Sequence, residues 1–304
     1  MDKNFPANFA RALRLPFVTA SALPFMIGSF FVKFQLNFVN FLLGLTAAVC
    51  MHLSANLIND YADSKSGSDW KDTKFYGFFG GSKLIQEKVF TEDFYRRTAI
   101  IFCAIAGFSV LALAVRLKSI AIIAYFLAIL FLAWAYSVKP LRLCERKLGE
   151  PVIFILFGPA LVMGGFFIQT RMFPTFAGFL LSLPAGFLVT AILFANEVAD
   201  FSVDKDSGKF TWVSLLGHGR AYVLYCALMA AAFLSIPLNF VYKNLTSFSL
   251  FALLFLLPAI KAASILKKDY QDKAKLVESS RLTILTHASV SIILIVDLLI
   301  CKKF

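Results

Sequence analysis

Residues 41–63 read FLLGLTAAVCMHLSANLINDYAD, an apolar run with no charged side chain before Asp60, closed by two carboxylates within four positions. The hydrocarbon core of a bilayer is about 30 Å thick, so a helix rising about 1.5 Å per residue crosses it in roughly 20 apolar residues. The stretch therefore reads as a membrane span with polar chemistry at one end. The whole chain has the same character: of 304 residues, 59% are hydrophobic and only 16% charged, with a mean hydropathy of +0.77, whereas soluble domains carry about 25% charged residues. Disordered, collagenous and disulfide-scaffold classes are excluded by this composition. The five cysteines, at 50, 103, 144, 226 and 301, show no metal-ligand spacing and read as small buried apolar residues.

About nine apolar runs are long enough to span, near 16–35, 37–58, 96–115, 118–137, 151–170, 173–195, 219–241, 245–266 and 282–301. The first is read as a retained span, because the second follows directly with no small-residue cleavage pattern between them. With nine spans, 23 of the 30 basic residues fall on the N-terminal side, leaving Lys33, Arg116, Lys118, Arg171, Lys243, Lys302 and Lys303 opposite. The positive-inside rule then makes the N-terminus and the even loops cytoplasmic. The net charge of +12 is thus a matter of topology, not of nucleic-acid binding. Of the 18 acids, all but Asp297 lie on that same face.

The spacing of those acids carries the chemistry. The first long loop is read as opening at Asn56, with Asn59 and Asp63 four positions apart and Gly67 and Asp69 beyond. On a helix this spacing stacks Asn59 and Asp63 on one face, with Asn56 a turn earlier, so that their oxygens converge on one hard cation. The frame recurs 137 positions later at the end of the sixth run, as Asn196 and Asp200 followed by Asp204, Asp206, Gly208 and Lys209. Two such frames suggest related helical halves facing each other across a cavity. Carboxylates about 5 Å apart repel by about 3 kcal/mol at an effective dielectric near 20, so the cluster calls for cations. Oxygen-only ligands suit Mg²⁺, which is held by one or two carboxylates together with substrate phosphates. A diphosphate bridged by Mg²⁺ between the two motifs satisfies the electrostatics.

Basic side chains to complete an anion site occur in the same loops. Lys83 follows Gly80-Gly81-Ser82, a stretch whose amides can approach a phosphate closely. Lys139 follows Tyr136 at the end of the fourth run, Lys209 closes the second motif, and Arg14 stands where the first run meets the cytoplasm. His52, His218 and His287 lie in or beside apolar runs and read as packed or interfacial residues.

At these residues the chain resembles the UbiA-type intramembrane prenyltransferases over nearly its whole length. The family's N-D-x-x-D motif is matched by Asn59, Asp60 and Asp63, and its D-x-x-x-D motif by Asp200 and Asp204. Within the superfamily it is most similar to the branch that prenylates 1,4-dihydroxy-2-naphthoate on the way to menaquinone. The residues carrying that likeness are Asn56, Leu57, Asn59, Asp60, Tyr61, Asp63, Gly67 and Asp69, then Gly80-Gly81-Ser82-Lys83. Further on come Tyr136-Ser137 with Pro140-Leu141, Leu148-Gly149-Glu150 and Phe157-Gly158-Pro159. Two arginines usual in that branch's second motif are here Ala199 and Phe210, which reduces the charge available to an acidic acceptor or a long prenyl donor.

The resemblance implies an all-α polytopic membrane protein over residues 1–304, a single domain of about nine transmembrane helices around a central cavity open to the cytoplasmic side. It would be an inner-membrane protein in a bacterium. It implies Mg²⁺-dependent transfer from a polyprenyl diphosphate to an aromatic acceptor, most closely 1,4-dihydroxy-2-naphthoate. Alternatives are 4-hydroxybenzoate, homogentisate or a lipid precursor. Asn59, Asp63, Asn196, Asp200 and Asp204 would hold the metal, with Asn56, Asp60, Asp69, Arg14 and Tyr136 supporting the substrates. Lys83, Lys139 and Lys209 would stabilise the departing pyrophosphate, in a water-poor site where such charges act most strongly. The allylic cation would be sheltered by aromatic faces, each worth roughly 0.5 to 2 kcal/mol, with Phe154, Phe157, Phe166 and Phe194 as candidates among the 35 Phe. For a naphthoate acceptor the family adds loss of the carboxylate, for which the sequence offers no evident base. A membrane transporter is the reading from another class; it would place acids near the bilayer midplane, where the runs carry none apart from Asp297 at the last.

Overall fold

The computed structural model describes residues 4–32, 36–172 and 175–300. Lys33, Cys301, Lys302 and Lys303, used above, lie outside the described residues. Among those described the chain is all helical, with one isolated bridge between Arg146 and Phe210 in place of any strand.

A short helix α1 (Phe5–Ala12) turns at Arg14, whose φ is 51°, through a single turn at Leu15–Phe17 into α2 (Thr19–Phe30). The bend between the two segments is 45°. Helix α3 (Phe38–Ser66) starts where the Asn37 side chain accepts from the Asn40 amide and stops at Gly67, whose φ of 84° a side chain would resist. Helix α4 (Glu92–Leu117), capped by Thr91, runs back beside α3. After α5 (Ala121–Ser137), the segment α6 (Gly149–Ile155) passes through a π-turn at Leu156–Ala160 into α7 (Leu161–Thr170). There α8 (Phe176–Asp206) comes so close that a Cβ on Gly158 would lie 2.7 Å from the Gly186 Cα. The chain continues through α9 (Trp212–Leu216), α10 (Tyr222–Val241), a 3₁₀ segment Ser247–Phe255, α11 (Leu256–Lys268) and α12 (Lys273–Ile300).

Seven of these helical stretches are long and apolar enough to cross a bilayer, and the bent pair α1–α2 makes an eighth. Exposed Ile100, Ile101, Phe108 and Val115 on α4, with Leu257 and Ile260 on α11, form an outward apolar surface suited to lipid. The remaining expected span is α5, 17 residues long, or about 25 Å. The loop expected from Asn56 onward is not a loop: α3 continues to Ser66, so the first acidic motif sits on its last turns, as the second does on α8. Helix α12 packs on α2, α8 and α11, and α10 on α8, around a core that includes Leu181, Leu188, Tyr225, Ile236 and Leu294.

Asp297 belongs to this scaffold. Fully buried, it accepts from the Thr246 and Ser249 amides and from the Thr246 hydroxyl, capping the 3₁₀ segment Ser247–Phe255.

Candidate functional site

A cavity of about 520 Å³ lies between α2, α3, α5, the α6–α7 span and α8. Along α8 its wall is made by Leu193, Asn196, Glu197, Asp200, Val203 and Asp204, the three-and-four spacing of one helix face. Along α3 it is made by Gly44, Ala47, Met51, His52, Asn56, Asn59 and Asp63. The i, i+4 frames thus bring Asn59 and Asp63 to the same cavity as Asn196, Asp200 and Asp204. The hydrogen-bonding groups gather at the ends of α3 and α8; towards Gly44 the wall is Phe25, Val110, Leu113, Phe126, Leu161 and Ile168.

Lys209 ties the two motifs together. Its Nζ stands 3.5 Å from Asp63 Oδ1 and 3.4 Å from Asp204 Oδ1. Burial is the largest single influence and works against its charge, but the acidic groups around it, Asp63 and Asp204 first, together hold the ammonium well above the usual lysine range. Asn59 donates to Ser137 Oγ at 3.2 Å, Ser280 donates to Asn196 Oδ1 at 2.9 Å, and Asn56 donates to the Leu13 carbonyl at 3.5 Å. The amide oxygens are thereby oriented by neighbours on other helices.

The connection 67–90 closes over this end. Gly80 donates its amide to Asp200 Oδ2 at 3.0 Å. Lys83, only 3% exposed, donates to Asp69 Oδ1 at 2.8 Å. Gly81 has φ 79°, and a Cβ there would sit 3.0 Å from Asp69 Oδ2, so glycine is required on both counts. Asp69 is pushed up to about 6, first by burial and then by the carboxylates of Asp63 and Asp60, with Lys83 opposing. The connection is fastened at two further points: Lys71 donates to the Asp206 carbonyl, and Asp72 pairs with Lys273 of α12 at 2.5 Å.

Asp60 stands apart from the other motif residues. One residue on from Asn59, it points away from the cavity, 2% exposed, pairing with Arg14 and accepting from the Ser82 amide at 3.2 Å. Arg14 also donates to Asn59 Oδ1 at 3.3 Å and does line the cavity, as do Tyr136, Lys83, Asp69 and Asn56. Lys139 is exposed to solvent and is not part of the wall. Of the four phenylalanines singled out, Phe157 lines the cavity, edge-on to His52 at 4.9 Å between centroids. Phe154 packs on Phe187, Phe166 on Phe31, and Phe194 is buried in the core; Phe25, Phe126 and Phe167 line the wall instead. Neither Ala199 nor Phe210 lines the cavity: Ala199 is buried in the core and Phe210 is 63% exposed. His52 and Cys144, read above as packing residues, are wall residues, and Cys226 is exposed. Glu197, Asp72 and Thr211 also line the wall without having been singled out; the heptad-like face of α8 was the signal for Glu197.

Among the described residues no three His, Cys, Asp or Glu side chains come close enough to hold a metal by themselves. A donor set of carboxylate and amide oxygens facing an open cavity fits a hard cation that takes its remaining ligands from a bound anion.

A sequence profile of the UbiA prenyltransferase family matches residues 21–285. The chain belongs to the UbiA prenyltransferase family. The UbiA chain is 31% identical over 227 residues to the 1,4-dihydroxy-2-naphthoate octaprenyltransferase of Escherichia coli K12, an alignment covering 72% of this chain and 70% of that one. Its fold is that of an apo UbiA homolog from Aeropyrum pernix K1, with a TM-score of 0.71, 17% identity, and coverage of 92% and 98% of the two chains. A UbiA homolog from Archaeoglobus fulgidus, solved bound to GPP and Mg²⁺, superposes with a TM-score of 0.59 at 13% identity, covering 95% of this chain and 99% of that one. This UbiA protein is accordingly a prenyltransferase of the membrane, with several spans.

Proposed function

We propose that this protein transfers a polyprenyl group from a polyprenyl diphosphate to 1,4-dihydroxy-2-naphthoate, with Mg²⁺, as a step of menaquinone biosynthesis. The observation that carries the reading is one cavity with two acidic motifs at one end and an apolar channel behind them. From Asp63 to Gly44 the wall follows 19 residues of α3, about 28 Å at 1.5 Å per residue, close to the thickness of a bilayer's hydrocarbon core. A long apolar chain fits there with its diphosphate among Asn59, Asp63, Asn196, Asp200 and Asp204.

These residues would hold Mg²⁺, which when bound offsets the charge that grows on the diphosphate as the C–O bond breaks. Lys83 and Lys209 hold ammonium groups at the same end, where they receive the departing pyrophosphate; Arg14, with two donors on Asp60 and Asn59, braces the first motif. Asp60 and Asp69 orient the Gly80–Lys83 segment that covers the diphosphate. The apolar wall, which includes Phe157, excludes water from an allylic cation. The acceptor assignment rests on the relative in E. coli named for that acceptor. The apolar runs make nine spans, with α5 among them, and the positive-inside count then puts the cavity mouth on the cytoplasmic face.

The test is a transfer assay on membranes containing the protein, Mg²⁺ and a labelled polyprenyl diphosphate, with 1,4-dihydroxy-2-naphthoate competing against 4-hydroxybenzoate. A prenylated naphthoquinol lost on adding EDTA is expected. Pyrophosphate release with neither acceptor consumed would overturn the naphthoate acceptor. No release with any donor, together with solute uptake in liposomes, would replace the enzyme by a transporter.

A further inference from the structure

Glu197 is a cavity residue whose chemistry the transfer reaction described above does not use. On α8 it belongs to the lining face with Leu193, Asn196, Asp200 and Asp204. It is three residues deeper than Asp200, about 4.5 Å along the helix, where the hydrogen-bonding end of the cavity gives way to the apolar wall. It is 8% exposed, and no donor among the described residues is directed at its Oε2. Its side chain lies beside the carboxyl group of Glu150, which is fixed at the start of α6 by accepting from the Trp212 amide at 3.1 Å. Tyr136 and Ser137 line the same cavity from the end of α5.

Two carboxyl groups side by side with no cation between them are costly in an apolar wall. Lys209, on the cavity side, is engaged with Asp63 and Asp204. Packing does not require an acid at this position. Hydroxyl recognition gives it a use: a carboxyl group on the lining face, three residues below Asp200, can accept from an O–H donor on the ring to be alkylated.

We propose that Glu197, beside Glu150, is a specificity-determining residue that accepts a hydrogen bond from a ring hydroxyl of the aromatic acceptor and sets which edge of the ring faces the prenyl donor. The inference rests on the prenyl-transfer reading. It makes a hydroxyl, and not a carboxylate, the group presented to α8; a carboxylate on the acceptor would be turned towards Lys83 and Lys209.

Equilibrium binding to the full chain in nanodiscs, read apart from turnover, tests it with two probes that share one ring system, 1,4-dihydroxynaphthalene and its dimethyl ether, which lacks the O–H donors. Wild type is expected to bind the diol about tenfold more tightly. Glu197→Met should abolish that preference, and Glu197→Gln, which keeps a carbonyl acceptor, should restore part of it, with affinity for the prenyl diphosphate unchanged in both. Equal binding of the probes by wild type overturns the proposal, as does a preference that survives in Glu197→Met. If the methionine variant does not fold, the wild-type preference and its retention in the glutamine variant decide. Diol preference in a protein that releases no pyrophosphate would support the role of Glu197 and overturn the transfer reaction instead.

Discussion

The Lys209 ammonium stands 3.5 Å from the carboxylate of Asp63, a residue 146 positions earlier on a different helix, and 3.4 Å from Asp204. One side chain therefore offsets both acidic motifs before any metal binds. Replacing it by methionine leaves buried carboxylates facing each other and removes a positive charge from the pyrophosphate's end of the cavity. Lys209→Met is expected to lower prenyl transfer by on the order of 10²-fold, read as kcat with a saturating donor, while the protein stays in the membrane fraction after carbonate washing.

Asp63→Ala and Asp200→Ala remove one carboxylate from each motif. Both should abolish turnover without altering membrane insertion, and full activity in either would remove the proposed metal site. Chelation should mimic them in wild type: EDTA stops transfer, and added Mg²⁺ restores it.

Gly81→Ala introduces a side chain at φ 79° and sets a methyl group 3.0 Å from Asp69. The strain is about 1–3 kcal/mol, and it falls on the segment that positions Lys83. A rise of roughly tenfold in KM for the prenyl diphosphate is expected, with a smaller change in KM for the aromatic acceptor. Equal KM values for wild type and variant would separate this segment from donor binding.

At Gly44 an added Cβ would lie 2.4 Å from Ile168 Cδ1 and 2.5 Å from Phe25 Cζ, both wall residues of the deep channel. Gly44→Leu should shorten the usable channel. Octaprenyl diphosphate is then expected to lose kcat/KM while geranyl diphosphate retains it; parallel losses for both donors would place the chain elsewhere.

Asp69 gives a pH dependence with a definite sign. Its folded pKa, raised to about 6 by burial and then by Asp63 and Asp60, exceeds that of an unfolded aspartate near 3.9. The protonated form is favoured by folding, so its contribution is fully present below about pH 4 and is lost as pH rises through about 6. Thermal unfolding of the metal-free protein should therefore move to lower temperature between these values, and Asp69→Asn should flatten that slope.

The apolar runs and the two Asn-x-x-x-Asp frames made the membrane bundle and the cavity's acidic residues legible, because both depend on helical periodicity. What they hid was rotation about the helix axis. Asp60 neighbours Asn59 in sequence yet turns about 100° away to meet Arg14, whereas Glu197, the neighbour of Asn196, stays on the lining face. Lys139 follows Tyr136 closely, but the chain has left α5 by then and its side chain reaches solvent. The phenylalanines were illegible for the same reason: of Phe154, Phe157, Phe166 and Phe194, only the one in the π-turn is directed at the cavity. The motif itself did not need a loop, and the α3 helix carries it to Ser66.

The connection 67–90 binds Asp200 through Gly80 and α12 through the Asp72–Lys273 pair, so it joins the two sides of the bundle at its polar end. The products of transfer have opposite solubilities: pyrophosphate belongs in water, the prenylated ring in hydrocarbon. In the proposed reaction the first forms among the polar groups beneath this clasp and the second lies along the apolar wall, so one cavity serves two solvents, with the clasp on the water side alone.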